Sequence, residues 1–333
     1  ACFRLSATPA IYNYAALIGT CFVILLVFSP RIELPYKPLI ALAVVATPIE
    51  GREVFMCLTN TQWILALGAV LIAISDAPRT TRGKLFDAIA LAGIGLTGPF
   101  VLAFLPLFAF RAYHRRDRYD LVLLGVAAVC GLVQLYNLTE ANIAPHPDSK
   151  LTDLIYLLAR FFGFPFAAQH ARAYPPQLAL AWLISSAAIL SYGFMIYRAI
   201  TLRAYTTLTI LAAGLLILGS TLLKYSLALH LLYDAGPRYY YIPTICFVWA
   251  LLSLLPRSRI LPSFLLLTMS FSTLTINDMY RETPLVNYHW RKWTRCIRRE
   301  PHCRIPINPE GWYVEVEGKR LWRKRRKLRK ATS

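Results

Sequence analysis

The chain alternates long apolar runs with short polar segments, a pattern typical of membrane-crossing helices joined by turns. We place the apolar runs at residues 9–29, 36–49, 62–77, 85–97, 99–110, 121–137, 177–197, 206–227, 240–255 and 260–276. Several of them are shorter than the roughly 20 residues that a straight span needs. The pattern predicts an all-α polytopic membrane domain over residues 1–277, with about nine to ten transmembrane or half-length helices, followed by a short polar tail.

Composition supports the same class of protein. Hydrophobic residues make up 57% of the 333 positions and charged residues 16%, a balance that a soluble core of this length does not need. The net charge of +19 would suggest nucleic acid as the partner of a soluble chain. In a membrane protein, basic residues instead report orientation and contact with anionic lipid. We therefore expect membrane lipid, and no nucleic acid, among the partners.

Basic residues are distributed unevenly between the two sets of turns. Thirteen lie at alternate turns, and the opposite turns hold seven spread over longer segments. Because cytoplasmic loops carry an excess of Lys and Arg, the larger set is predicted to be cytoplasmic. It comprises Arg31, Lys37, Arg79, Arg82, Lys84, Arg111, Arg115, Arg116, Arg118, Arg198, Arg203, Arg257 and Arg259. We expect a multi-pass protein of the bacterial inner membrane, with its active face and residues 278–333 outside the cytoplasm.

This orientation constrains the path of the segment from Lys84 to Arg111, because both of its ends are predicted to be cytoplasmic. The segment must then turn back, and the sequence LTGPF offers a turn at Gly98 and Pro99. Proline cannot donate a helical hydrogen bond, and glycine tolerates turn conformations. Two half-length helices meeting at LTGPF satisfy the orientation. A single kinked span is the alternative.

The stretch PIEGREVFMCLTNTQW, residues 48–63, places Glu50, Arg52 and Glu53 between two apolar runs. One interpretation is a solvated turn that merely joins two helices. The other is an acidic rim over a site at the membrane face, because carboxylates near apolar walls can act as bases or as ligands of a divalent cation. Nothing in the sequence indicates a bound cofactor.

Two further cations lie near the predicted outer face. Lys224 follows an apolar stretch, so its ammonium group must snorkel to the interface or bind an anion. Arg238 follows Pro237 and precedes Tyr239 at the start of a helix, and its forked guanidinium suits phosphate. The ring of Tyr239 can contribute to substrate binding or anchor the helix in the headgroup region.

The tail contains two cysteines seven positions apart, Cys296 and Cys303. This spacing permits a small disulfide-closed loop in an oxidising compartment. The following IPINPEGWYVEVEG predicts a hairpin that turns at Pro309 to Gly311. The closing LWRKRRKLRK is either a solvated run or a segment that binds acidic lipid or polysaccharide. His146 and Asp148 are too few for a metal site, and none is predicted.

The order of these segments resembles the GT-C superfamily of polytopic membrane glycosyltransferases, which use polyprenyl-phosphate-linked sugars. The segments are FRLSATPAIYNYAALIG, PIEGREVF, LTGPFVLAFLP and GPRYYYIPTICFVWALL, and they cover residues 1–276. The last resembles the family's RY-x-x-P segment, and LTGPF resembles its turn between half-length helices. In the family, the acidic catalytic motif follows a first span that does not stand at the start of this sequence. We therefore expect an N-terminal span and first loop before Ala1.

The resemblance implies transfer of a sugar from a polyprenyl-phosphate donor to an extracytoplasmic glycan, lipid or protein acceptor. Arg238 and Lys224 would neutralise the donor phosphate, and Glu50 and Glu53 would support removal of the acceptor proton. Arg52 would pair with these carboxylates, and aromatic rings such as that of Trp63 would stack on sugar faces. A transporter or flippase for lipid-linked sugars, a polysaccharide polymerase or ligase, and a non-catalytic membrane protein are the alternatives.

Overall fold

The fold is known from a computed structural model that describes residues 4–46, 58–139, 178–224, 237–255, 286–307 and 311–317. The chain is mostly helical, as the sequence predicts. It divides into two compact units. The helical unit comprises Ala16–Tyr280, and the terminal unit comprises Ala1–Ala15 together with Arg281–Ser333. The boundary predicted from the sequence lies at residue 277, with residues 1–15 in the membrane domain.

The helices follow the apolar runs closely. In the described ranges before residue 280, the helices are α1 (Thr8–Val27), α2 (Lys37–Ala46), α3 (Thr61–Ile74), α4 (Thr81–Thr97), α5 (Phe100–Arg115), α6 (Arg118–Thr139), α7 (Leu178–Thr201), α8 (Tyr205–Lys224) and α9 (Pro237–Leu254). They correspond in order to the first nine predicted runs. The tenth run, 260–276, lies outside the described residues.

The helix α3 forms the centre of the helical unit. Nearly all of its residues are buried, which is expected of a helix that is apolar on every side. Small residues let its neighbours approach closely: a Cβ atom added at Gly68 would lie 3.1 Å from Ile94 of α4 and 3.5 Å from Val23 of α1. A long polar helix could not occupy this position, because each buried polar group needs a hydrogen-bond partner.

The turn predicted at LTGPF is confirmed. The helix α4 ends at Thr97 and α5 begins at Phe100. The far ends of both helices meet at Tyr119, since the Lys84 Nζ atom lies 5.7 Å and the Arg111 guanidinium carbon 5.6 Å from the centre of its ring. The two helices therefore run in opposite directions, and a single kinked span is excluded.

Several helices bury small and polar side chains and expose large apolar ones. The buried side chains of α6 include Asp120, Ala127, Cys130, Gly131 and Gln134. Its exposed side chains include Leu121, Val122, Val129, Leu132, Val133 and Tyr136. These exposed positions recur at helical spacing and form one continuous apolar face. Among the described residues, α1 and α6 are the two helices long and apolar enough to cross a membrane.

Close packing at Gly95 gives a prediction with an internal control. A Cβ atom at Gly95 would lie 2.7 Å from the Cys130 Cβ atom, whereas one at Gly93 would meet nothing within 4 Å. We expect Gly95→Ala to lower the free energy of unfolding by about 1 to 3 kcal/mol, because the extra methyl group must push α4 and α6 apart. Gly93→Ala in the same helix should be neutral or stabilising by up to about 1 kcal/mol, since alanine favours the helix.

Thermal unfolding of both variants in the same detergent provides the measurement. The packing argument would fail if the two alanines changed the unfolding midpoint equally.

The terminal unit has its own small fold. The short polar tail predicted from the sequence contains α10 (Trp290–Arg299), β1 (His302–Ile307) and β2 (Trp312–Glu317). The strands β1 and β2 form the predicted hairpin, with Cys303 opposite Val316 and Ile307 opposite Trp312. A disulfide joins Cys296 of α10 to Cys303 of β1. The helix α10 was not predicted.

Candidate functional site

The LTGPF turn packs directly against the start of α3. A Cβ atom at Gly98 would lie 2.1 Å from Oε1 and 3.1 Å from Cβ of Gln62. The backbone of Gly98 is extended, with a φ of −172°, a conformation open to any residue. Glycine therefore lets Gln62 approach the turn closely, whereas the backbone conformation itself, contrary to the expectation from the sequence, does not call for glycine. We call this part of the helical unit the LTGPF end.

An aromatic cluster stands beside the turn. The ring centres of Trp63 and Phe100 are 4.5 Å apart, and those of Trp63 and Tyr239 are 5.5 Å apart with the rings edge to face. Trp63 is 5% exposed and Tyr239 is 6% exposed. Burial leaves neither ring open for the sugar stacking expected from the sequence. Both rings instead form the wall that holds α3, α5 and α9 together at the LTGPF end.

Arg238 lies on this wall at the start of α9. Pro237 is the first residue of that helix, a favoured position because proline lacks an N–H group and fixes the helical φ angle. The Arg238 guanidinium carbon lies 5.2 Å from the centre of the Tyr239 ring. The positive end of the helix dipole and the guanidinium group both favour an anion at this position.

The two sides of the acidic segment approach the same helix. The Tyr241 hydroxyl of α9 donates a hydrogen bond of 2.8 Å to the carbonyl oxygen of Val44, close to the end of α2. Trp63, close to the start of α3, contacts Tyr239. The end of α2 and the start of α3, which flank residues 47–57 in the sequence, therefore both contact the first two turns of α9.

The predicted acidic residues Glu50, Arg52 and Glu53 themselves lie outside the described residues. Lys224 is the last residue of α8, and its side chain also lies outside them. Three predicted site residues, Trp63, Arg238 and Tyr239, are brought together at the LTGPF end. Cys296 and Cys303 are in the terminal unit.

Sequence reasoning missed Gln62 and Gln134 at this end. Gln134 is buried in α6, and its amide nitrogen donates hydrogen bonds of 3.1 Å to the carbonyl oxygens of Gly95 and Leu96. These carbonyl groups belong to the last turn of α4, where helical partners run out. The available signal was a lone amide inside an otherwise apolar run, which requires a partner when it is buried.

A second polar cluster lies at the opposite end of α4 and α5, which we call the arginine end. The Arg31 guanidinium donates two hydrogen bonds to the Asp87 carboxylate, at 2.6 and 2.8 Å, and the Tyr119 hydroxyl donates to the same carboxylate. The hydrogen bond to Asp87 raises the pKa of Arg31 above its usual value. This carboxylate thus joins the loop after α1 to α4 and α6.

Arg111 forms the other part of the arginine end. Its Nε atom lies 2.6 Å from the Asp120 carboxylate. Its Nη1 atom lies 2.5, 2.9 and 2.8 Å from the carbonyl oxygens of Ile72, Ala73 and Ser75 at the end of α3. The sequence analysis treated these arginines only as markers of orientation. The structure uses two of them to bind buried carboxylates.

Among the described residues, no three His, Cys, Asp or Glu side chains come together in a way that could hold a metal ion.

A comparison with known protein families, curated proteins and solved structures finds no match for this chain. The LTGPF end carries the partly buried cation of Arg238 beside a buried aromatic wall, whereas the buried carboxylates of the arginine end are bound by Arg31 and Arg111.

Proposed function

We propose that this chain is a membrane glycosyltransferase-like protein that transfers a sugar from a polyprenyl-phosphate-linked donor to an extracytoplasmic glycan, lipid or protein. Support for the membrane comes from the outward apolar faces. Only 28% of the most apolar stretch of α6 is buried, whereas the core helix of a soluble protein would be mostly buried. Exposed apolar faces of this extent are costly in water and favourable in lipid.

The contacts of the two helices that flank the acidic segment are the observation that carries the proposal. The end of α2 contacts Tyr241 and the start of α3 contacts Tyr239, and both residues belong to the helix that begins with Pro237 and Arg238. The transfer needs a cation for the phosphate that leaves and a carboxylate for the acceptor proton. Arg238 is the candidate for the first role, and Glu50 and Glu53, which lie between α2 and α3 in the sequence, are the candidates for the second.

Each residue then has a defined task. Arg238 binds the donor phosphate through its forked guanidinium, assisted by the start of α9. Glu53 or Glu50 accepts the proton of the acceptor hydroxyl, and Arg52 holds that carboxylate ionised. Lys224 provides a second cation for the phosphate. Trp63 and Phe100 fix the position of α9 relative to the LTGPF turn.

The phosphate role is tested by replacing Arg238. A charge-assisted hydrogen bond contributes about 1.5 to 3 kcal/mol, so Arg238→Ala should weaken binding of a polyprenyl phosphate by about ten- to a hundredfold. Arg238→Lys should recover only part of this affinity, because a point charge cannot form the bidentate contact. The measurement is a titration of the full chain in detergent with polyprenyl phosphate, followed by the shift in thermal midpoint.

Arg79→Ala is the matched control, because Arg79 is an exposed arginine that precedes α4 near the arginine end. Its titration should match the wild type. Glu53→Gln should retain phosphate binding and lose sugar transfer. A folded Arg238→Ala variant with wild-type affinity would reduce Arg238 to a helix anchor and remove the central cation of the proposal.

A further inference from the structure

The helix α10 of the terminal unit carries five cations and no carboxylate. Successive residues of a helix are 100° apart, so these five side chains fall within an arc of about 120° on one face. All five are exposed. We call them the cationic arc: Arg291, Lys292, Arg295, Arg298 and Arg299.

The fold of the terminal unit holds these like charges together. Outside this arc Thr294 is buried, and on the opposite side of α10 the Trp293 Nε1 atom donates a hydrogen bond of 2.9 Å to the Tyr288 carbonyl oxygen. The disulfide to Cys303 fixes the last turn of the helix against β1. Like charges three and four residues apart repel each other, and the cations of the first turn oppose the helix dipole. An anionic partner would relieve both effects.

The hairpin adds aromatic side chains to this charged unit. Trp312 is 64% exposed, Tyr313 47% and Val314 44%. The Arg304 guanidinium carbon lies 3.4 Å from the centre of the Tyr313 ring. Exposed Trp and Tyr beside Arg are characteristic of surfaces that lie at the level of lipid headgroups.

We infer that the cationic arc binds the phosphate groups of anionic lipids at the membrane surface. The terminal unit contains the first turns of α1, and α1 is long and apolar enough to cross a membrane. In the membrane embedding proposed above, the chain therefore joins this unit directly to α1. The closing sequence after Glu317 adds nine Lys and Arg and no acidic residue. This inference rests on the membrane embedding of the proposed function and is independent of sugar transfer.

Local amide exchange provides a specific test. The full chain is placed in nanodiscs of phosphatidylcholine alone or with roughly one-third phosphatidylglycerol, and exchange is followed in residues 290–299. We expect the anionic lipid to slow exchange in this segment by about tenfold or more, because bound lipid opposes local opening of α10. Salt of about 0.5 M should abolish the difference by screening.

Variants distinguish an effect of the cationic arc itself from an effect of the net charge of the chain. Arg291→Gln/Arg295→Gln/Arg298→Gln should abolish the effect of anionic lipid, and the corresponding triple Lys variant should retain it. The control Arg79→Gln/Arg82→Gln/Arg118→Gln removes equal charge from exposed positions of the helical unit and should leave the effect in residues 290–299 unchanged. Because the Lys variant preserves charge, failure of the Gln variant to fold would not remove the test.

Two results would overturn the inference. One is equal exchange of residues 290–299 of the wild type in both kinds of nanodisc. The other is slower exchange caused by soluble polygalacturonate in phosphatidylcholine nanodiscs without any effect of phosphatidylglycerol. The second result would assign the cationic arc to an acidic polysaccharide. Neither result would affect the titration of Arg238 with polyprenyl phosphate.

Discussion

Replacement of Arg111 by alanine is expected to lower the free energy of unfolding by about 3 to 5 kcal/mol, the largest effect of any single charge removal at the arginine end. Its side chain is 4% exposed and that of its partner Asp120 is fully buried. Removing Arg111 leaves that carboxylate in the interior without its cation. An uncompensated buried charge is the main source of the loss.

The expected loss has a second part at the end of α3. The carbonyl oxygens of Ile72, Ala73 and Ser75 accept from Arg111, and the last carbonyl groups of a helix have no partners within it. The double variant Arg111→Met/Asp120→Leu removes both charges and restores apolar packing. It should recover part of the stability, because the ion pair is replaced, but not all of it, because the carbonyl oxygens of Ile72, Ala73 and Ser75 lose the hydrogen bonds from Arg111.

Arg115→Ala is the control for both variants. Arg115 lies one turn further along α5 and donates to the same Ser75 carbonyl oxygen, but its side chain is 32% exposed and its partner Asp76 is 62% exposed. Water can replace these contacts, so the expected cost is at most about 1 kcal/mol. Thermal unfolding in one detergent compares the variants. Equal midpoints for Arg111→Ala and Arg115→Ala would contradict the role assigned to Arg111.

The second large effect is expected at Asp87. Its carboxylate is buried and accepts two hydrogen bonds from Arg31 and one from Tyr119. Asp87→Asn preserves the shape but removes the charge and one acceptor atom, which should lower the free energy of unfolding by about 3 kcal/mol. The loss is smaller than at Arg111 because the Arg31 side chain is 25% exposed and can regain water.

The energetic coupling between Asp87 and Tyr119 tests whether their hydrogen bond contributes to stability. In a double-mutant cycle with Tyr119→Phe, the two substitutions should be clearly non-additive, because both remove the same hydrogen bond. Asp76→Asn, at the exposed carboxylate near the same end, should change the midpoint little. Additive effects of Asp87→Asn and Tyr119→Phe would show that the carboxylate acts only through Arg31.

The helix bounds could be predicted because apolar runs and their interruptions are local properties of a sequence. The run 99–110 corresponds to α5 and 121–137 to α6, each within a few residues except where polar ends extend the helix. The turn at Gly98 and Pro99 followed from a conflict of orientation between Lys84 and Arg111. The close packing of Gly98 against Gln62 was not visible in the sequence.

The candidate site was only partly predictable. Proline before Arg238 indicated a helix start, and α9 begins there. Trp63 was predicted to stack on a sugar, whereas its ring is buried against Phe100 in the aromatic cluster. Exposure of one aromatic ring depends on which neighbours cover it, and those neighbours are 37 and 176 positions away.

The sequence by itself determined the class of secondary structure, the order of the helices, the hairpin of β1 and β2, and the spacing that allows Cys296 to reach Cys303. These features depend on short stretches, where hydrophobicity, proline, glycine and chain geometry suffice. The tertiary structure decided which face of α6 is buried, since apolar residues surround that helix and only Asp120 and Gln134 mark its inner side. It also decided that Arg31 binds Asp87, 56 positions away, because many arginines are equivalent in sequence and only packing brings one of them to that carboxylate.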